Sequence, residues 1–226
     1  MYGEKEKSKI LVFAGGKKEP GKGGSGCEMM ILNIRLGRLD AEIAAVVSNY
    51  PAGGVKTLAD KYGIPFVYMP GPYTAEAYQA IFEKYPHDFI MLSGWLRPIR
   101  GNKTERTVNI HCGPLPFTRS LHGDQIHKKV WDAYQDGGIT HSTVTMHFVP
   151  SFDLSGYDTG QIITQKDVPI RLSDTLETMK ARVNAYEHAV QSDILNLVVH
   201  RQIYLHEGKV FYMDDFDKRK FFGGGA

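Results

Sequence analysis

The 226-residue chain contains little cysteine, little net charge and no long apolar run. Two cysteines, Cys27 and Cys112, are too few for a disulfide framework, and no Cys-x-x-Cys pair predicts a zinc site. A formal net charge of +2 gives no strong positive field that would favour nucleic acid as a partner. No apolar run approaches the roughly 18 residues that span a membrane. We therefore expect a cytoplasmic protein that binds no nucleic acid, membrane or metal.

The length suits one large α/β domain with a sizeable core. We predict a leader at residues 1–8, a domain at residues 9–213 and a tail at residues 214–226. The segment MYGEKEKSK is charged and has no apolar centre, so it is not expected to act as a signal peptide. No internal repeat and no linker suggests a second domain.

Apolar runs that favour strands alternate with amphipathic segments that favour helices. This alternation predicts a Rossmann-like, mostly parallel sheet with helices on both faces, followed by antiparallel strands and a terminal hairpin at residues 201–213. The five predicted parallel strands are Lys9–Ala14, Ala41–Asn49, Ile64–Met69, Asp88–Gly94 and Thr107–His111, and the two later strands are Ser142–Val149 and residues 161–170.

Three of the predicted helices carry local signals for where they begin or end. Thr74 is the expected N-cap of the third helix. A capping pattern at Ser173, with Asp174 in the first turn, is expected to open the long last helix. In the first helix, Leu36 is expected to share the apolar side with Met30 and its neighbours, before Gly37 ends the helix.

The glycine-rich stretch Gly15–Gly26 partly matches two phosphate-binding motifs. A P-loop needs Ser or Thr after Lys22, but Gly23 stands there. A dinucleotide-binding turn needs an acidic residue at the end of the second strand, whereas Asp40 precedes that strand. What remains is glycine before a helix, where free N–H groups attract an anion, or a flexible loop that binds nothing.

Asn109 and His111 lie two residues apart at the end of a predicted strand, so their side chains point the same way. An amide and an imidazole in this position could polarise a carbonyl and move a proton. Asp158, beside a glycine, suits an ordinary turn, or it could orient an imidazole and raise its pKa. Cys112, the neighbour of His111, is expected to face the opposite side and not to act as a nucleophile.

Several motifs together resemble the phosphoribosylglycinamide formyltransferases of the formyltransferase superfamily. They are GGSGCEMMI, LSGWLRP, NIHCGPLP, STVTMHFV, YDTGQII and RVNAYEHAVQ, and the similarity runs from Lys9 to about Val199. The resemblance implies transfer of a formyl group from 10-formyltetrahydrofolate, as co-substrate, to the amine of glycinamide ribonucleotide. It also implies a monomer or homodimer with small-molecule substrates.

The resemblance implies specific residue roles. Asn109, His111 and Asp158 match the catalytic residues, and His147 matches a position near them. The phosphate-binding loop corresponds to Gly24, Ser25, Gly26 and Cys27, and Glu187 corresponds to a residue that contacts the ribonucleotide. The folate-binding segment corresponds to Leu96, Arg97, Pro98 and Ile99, with Asn109 also in contact with the folate.

The chain departs from the family pattern at several positions. Cys112 replaces a usual proline, Cys27 replaces a frequent asparagine, and Ala75 stands where some members have a folate-contacting arginine. An insertion, Lys17–Lys22, lengthens the glycine-rich stretch, and its role is open. These departures affect the expected phosphate and folate-tail contacts.

Other functions fit the same motifs. A sugar-nucleotide N-formyltransferase, a methionyl-tRNA formyltransferase or a formyltetrahydrofolate hydrolase would use similar chemistry. The short remainder after the last helix argues against the RNA-binding domain of the tRNA enzyme. A phosphate- or nucleotide-binding protein without catalysis is the alternative outside enzymes.

Overall fold

The computed structural model describes residues 6–19 and 21–213. Residues 1–5 of the predicted leader, Pro20 of the insertion and the predicted tail at residues 214–226 lie outside the described residues. The domain boundaries therefore stay predictions.

The strands of the described residues are β1 Ser8–Phe13, β2 Ala41–Ser48, β3 Phe66–Tyr68, β4 Phe89–Leu92, β5 Thr107–His111, β6 His141–Phe148, β7 Ile162–Pro169, β8 Ile203–His206 and β9 Lys209–Tyr212. Seven of them form one sheet in the order β3-β2-β1-β4-β5-β6-β7. The first five strands pair in parallel, whereas β6 is antiparallel to both β5 and β7. The predicted mostly parallel sheet with later antiparallel strands is thus confirmed, as is the terminal hairpin, formed by β8 and β9.

Helices cover both faces of the sheet. They are α1 Ser25–Arg35, α2 Gly54–Tyr62, α3 Ala75–Lys84, α4 Asp124–Gln135, α5 Phe152–Ser155 and α6 Leu176–Val199. Alternate residues of β1 face opposite cores: Ile10 and Val12 belong to a core that includes residues of α1, α2, α4 and α6, whereas Leu11 and Phe13 belong to a core that includes residues of α3. None of the helices in the described ranges has the length and apolarity of a membrane span.

The start of α6 differs from the prediction. Thr175, not Ser173, is the N-cap, and its side chain and that of Thr178 exchange hydrogen bonds with each other's backbone N–H groups. Asp174 lies before the helix and forms an ion pair with Arg182 on the second turn. The prediction was wrong because Ser and Thr are both good N-caps, and the sequence pattern does not select between adjacent candidates.

The other helix signals had different outcomes. Thr74 caps α3 as predicted, because its hydroxyl accepts the N–H of Ala77 at 3.3 Å. Leu36 does not share the buried side of α1, and 69% of it is exposed. The reason is that α1 ends at Arg35, so Leu36 no longer follows the helical period.

Candidate active site

The end of β5 and the facing part of β6 bring three polar side chains together. Asn109 pairs with His147 in the antiparallel register, and His111 pairs with Thr145. Directly opposite residues of an antiparallel pair project from the same face of the sheet. A shift in the β6–β7 register between Met146 and His147 marks an irregularity of the kind that re-aims side chains near functional sites.

Asp158 reaches this group from the turn before β7. Its backbone is left-handed, with φ at 51°, a conformation that Asp adopts more readily than most residues. The turn can pass against β6 because residue 160 is glycine: a Cβ there would lie 1.7 Å from the carbonyl oxygen of Phe148. The Asp158 carboxylate lies 3.7 Å from His111 Nδ1 and 3.5 Å from His147 Nε2. We call Asn109, His111, His147 and Asp158 the polar cluster.

Hydrogen bonds fix the orientation of Asn109. His147 Nδ1 lies 2.9 Å from the carbonyl oxygen of Phe148, which can only accept, so this nitrogen carries a hydrogen. In the neutral ring, Nε2 then accepts a hydrogen bond from Asn109 Nδ2 at 3.1 Å. The second hydrogen of the Asn109 amide is left for another acceptor.

Burial and neighbouring groups together set the charge states of His111 and Asp158. Burial lowers the pKa of His111 to about 4, while the Asp158 carboxylate acts in the opposite direction. The effect of Asp158 thus has the sign expected from the sequence, but it is outweighed because the ring is only 5% exposed. Burial also acts to raise the pKa of Asp158, but His147, His111 and the Ser120 N–H outweigh it and lower that pKa.

The cluster opens into a cavity of about 270 Å³. Asn109, His111 and Asp158, the three predicted catalytic residues, all line it. Cys112 lines it as well, contrary to the expectation that it faces away, because β5 ends at His111 and the strict alternation stops there. Burial raises the pKa of the Cys112 thiol to about 12, so the thiol is neutral and a poor nucleophile near pH 7.

The segment predicted to bind folate forms one wall of the site. Leu96 lines the main cavity, whereas Arg97 and Ile99 line a smaller adjoining cavity that Asn109 and Asp158 also border. The carbonyl oxygen of Ile99 accepts a hydrogen bond from the N–H of Phe152 at 2.8 Å, and Phe152 borders the same smaller cavity as Asp158. Pro98 is half-buried beside them.

Helix α6 forms the opposite wall. Glu187, Asn184 and Lys180 project from three successive turns and line the main cavity. Burial raises the pKa of Glu187 to about 7, so its carboxyl group can donate as well as accept a hydrogen bond near neutral pH. Glu187 thus lines the same cavity as Asn109, His111 and Asp158 and can form hydrogen bonds of both kinds there.

The predicted phosphate loop lies beside this wall. Of the residues that the structure describes, none of Gly24–Cys27 lines the main cavity or the smaller one next to it. The loop adjoins the cavity through its neighbours, because Ser25 Oγ lies 3.2 Å from Nε2 of His188, the residue after Glu187. The Cys27 side chain is buried in the core, so only the backbone of Cys27 is available to an anion.

Sequence and structure comparisons agree on the family. Residues 9–195 match the formyl transferase family profile. The chain belongs to the formyl transferase family. It is 30% identical to the phosphoribosylglycinamide formyltransferase of Bacillus subtilis over 190 residues, which are 80% of this chain and 89% of that protein. The phosphoribosylglycinamide formyltransferase of Coxiella burnetii superposes with a TM-score of 0.75 and 27% identity, covering 92% of this chain and 94% of that one.

Some relatives are much longer than this chain. The chain is 29% identical to the trifunctional purine biosynthetic protein adenosine-3 of Bos taurus over 221 residues. That match covers 93% of this chain but only 20% of the relative. The similarity to the trifunctional protein is therefore a similarity to about a fifth of it.

Several residues in or next to this family member's cavity were not predicted. Tyr157 packs edge-on against His122, with 5.5 Å between ring centroids, and both line the cavity. Thr118 Oγ1 contacts Nε2 of His111, the ring nitrogen that does not face Asp158. The position of Tyr157 directly before Asp158 in the sequence could have indicated that it lies near the site. No sequence feature indicated the contact of Thr118 with His111. In the described part of the chain, no group of three or more His, Cys, Asp or Glu side chains is arranged to hold a metal ion.

Proposed function

We propose that the protein transfers the formyl group of 10-formyltetrahydrofolate to the amine of 5-phosphoribosylglycinamide. The observation that carries this proposal is the meeting of Asn109, His111 and Asp158 at one cavity in a formyl transferase fold. The named relatives favour this amine over other acceptors. The protein is also proposed to work in the cytoplasm, without a metal ion.

The reaction needs a group that stabilises negative charge on the formyl oxygen. The amine attacks the formyl carbon and forms a tetrahedral adduct whose oxygen becomes anionic. Asn109 is suited to this oxygen, because one hydrogen of its amide is held by His147 and the second is available. A donor that is already oriented needs no reorganisation as the charge develops.

The reaction also moves one proton from the attacking amine to the departing folate nitrogen. The new carbon–nitrogen bond forms, the bond from the formyl carbon to N10 breaks, and tetrahydrofolate leaves. His111 is suited to carry this proton: with a pKa of about 4 the ring is neutral near pH 7 and can accept it. Asp158, at 3.7 Å from Nδ1, stabilises the imidazolium that forms, and the imidazolium then gives the proton to N10.

The two walls of the cavity are suited to the two substrates. The Leu96–Ile99 segment offers an apolar surface for the folate ring, together with Asn109. Glu187 is proposed to contact the ribose hydroxyls, and the N–H groups of Ser25, Gly26 and Cys27, beside this wall, are proposed to bind the phosphate. These three N–H groups have no acceptor within α1, because they belong to its first turn.

The test is an absorbance assay of 10-formyltetrahydrofolate consumption with purified protein. One arm contains phosphoribosylglycinamide, a second contains an amino-sugar nucleotide, and a third contains no amine. The proposal expects turnover in the first arm only. Equal turnover without amine would identify a hydrolase, and turnover with the sugar nucleotide alone would identify a different acceptor.

A further inference from the structure

The hydroxyl of Thr118 contacts the side of the His111 ring that is remote from Asp158. Thr118 Oγ1 lies 2.9 Å from His111 Nε2, whereas Asp158 faces Nδ1. Thr118 is fully buried. Its hydroxyl is therefore a fixed partner of His111 that solvent does not replace.

This hydroxyl has one hydrogen, which it donates to the carbonyl oxygen of Pro114 at 2.8 Å. Its oxygen is then left to accept a hydrogen bond from His111 Nε2 at 2.9 Å. In this arrangement Nε2 carries a hydrogen in the neutral ring as well as in the charged ring. The nitrogen that gains and loses a proton between the two states is then Nδ1, which faces Asp158.

The segment after β5 is built to hold Thr118 in this place. A Cβ at Gly113 would lie 2.6 Å from Thr118 Oγ1, so a larger residue would displace the hydroxyl. Thr145 on β6 donates to the carbonyl of Gly113 at 2.8 Å. Gln165 on β7 donates to the carbonyl of Leu115 at 2.8 Å. Two strands of the sheet thus anchor the segment that carries Thr118.

We propose that Thr118 is a positioning residue that keeps Nε2 of His111 hydrogen-bonded in both charge states of the ring. Nδ1 is then the nitrogen that exchanges a proton with the reacting groups beside Asp158. The proposal rests on the proposed function for the identity of those groups, but the hydrogen bond and the tautomer of His111 do not depend on it. Other groups that face His111 electrostatically are His147, His122 and His127.

The spectroscopic test uses nitrogen-15 NMR of the imidazole groups. Wild-type protein near pH 7.5 is expected to show the neutral His111 ring with its hydrogen on Nε2. Thr118→Ser keeps the hydroxyl and should keep this tautomer, whereas Thr118→Val should give a mixture of tautomers. Thr143→Val is the matched control, because Thr143 is a buried threonine whose hydroxyl has no hydrogen-bond partner in the described structure.

The kinetic test uses the same variants. Thr118→Val should lower kcat roughly 10- to 100-fold with KM changed less than about threefold, and should move the acid limb of the pH profile to lower pH. The acid limb moves this way because Thr118→Val lowers the pKa of His111. The hydroxyl oxygen stabilises the charged ring more than the neutral ring, so its loss disfavours the charged form. Thr118→Ser and Thr143→Val should stay within about threefold of wild type.

The outcomes separate this proposal from the proposed function. A wild-type neutral ring with its hydrogen on Nδ1, or a Thr118→Val protein with unchanged tautomer and pH profile, overturns the role of Thr118. If Thr118→Val does not fold, the wild type and Thr118→Ser decide: a folded serine variant that loses the tautomer and the activity overturns the role of the hydroxyl. Absence of formyl transfer in wild type with the expected tautomer overturns only the proposed function.

Discussion

The polar cluster and the predicted phosphate loop lie at the same edge of the sheet but are built from different parts of the chain. The cluster consists of side chains on paired strands and one turn, joined by contacts of 3.1 to 3.7 Å. The loop presents backbone N–H groups at the start of α1, and its Cys27 side chain faces the core. We therefore expect the activity of the cluster to depend on which side chains are present. In the loop, binding should depend on the backbone N–H groups and little on the side chains.

The largest effect is expected at Asp158. Asp158→Asn removes the charge that stabilises the imidazolium of His111, so kcat should fall about 10³- to 10⁴-fold. Circular dichroism and thermal unfolding should show a folded protein. Asp167→Asn, at an exposed carboxylate on β7, is the control and should keep its activity. Near-normal turnover of Asp158→Asn would remove Asp158 from the mechanism.

The next effect is expected at Asn109. Asn109→Ala removes the donor for the formyl oxygen, and kcat should fall about 10²- to 10³-fold. His147→Ala should have a smaller effect, because it releases the orientation of Asn109 without removing the amide. The loss in the double variant should be smaller than the product of the two single losses, because His147 acts partly through the hydrogen bond that it shares with Asn109. Strictly additive effects in steady-state kinetics would contradict this coupling.

The loop should respond to loss of a backbone donor. Ser25→Pro removes the first N–H group of α1 at a helix position that tolerates proline. KM for the ribonucleotide should rise about tenfold, with kcat little changed, because a hydrogen bond to a charged group is lost. Ser25→Ala removes only the hydroxyl and should change KM by less than about threefold. If both variants change KM equally, the backbone of the loop does not hold the phosphate.

The smallest effect concerns stability and Glu187. Its folded pKa of about 7 lies above the unfolded value, so the folded state holds the proton more tightly, and the stability that this provides is lost as pH rises from about 4.5 to 7. Glu187→Gln should therefore raise Tm by about 2–4 °C at pH 8 and by little at pH 4.5. Measuring variant against wild type at each pH cancels the contribution of His111, whose pKa is shifted the other way. A Tm difference that is independent of pH would contradict the raised pKa.

The sequence predicted the fold well because strand and helix periods are local. The bounds of β5 and the common direction of Asn109 and His111 follow from alternation along one strand. The approach of Asp158 to His111 does not follow from local pattern, and only the family resemblance linked them. The lowered pKa of His111 and its contact with Thr118 both depend on how distant segments pack around the ring. Such packing cannot be predicted from the local pattern of a single sequence.

The most direct test of the account follows the formyl carbon itself. Wild-type protein is given 10-formyltetrahydrofolate labelled with carbon-13 in the formyl group, together with phosphoribosylglycinamide, and the products are identified by mass spectrometry. The account predicts one labelled formyl group on the ribonucleotide amine for each tetrahydrofolate formed, and almost no product with Asp158→Asn. Label released as formate, with the ribonucleotide unchanged, would contradict it.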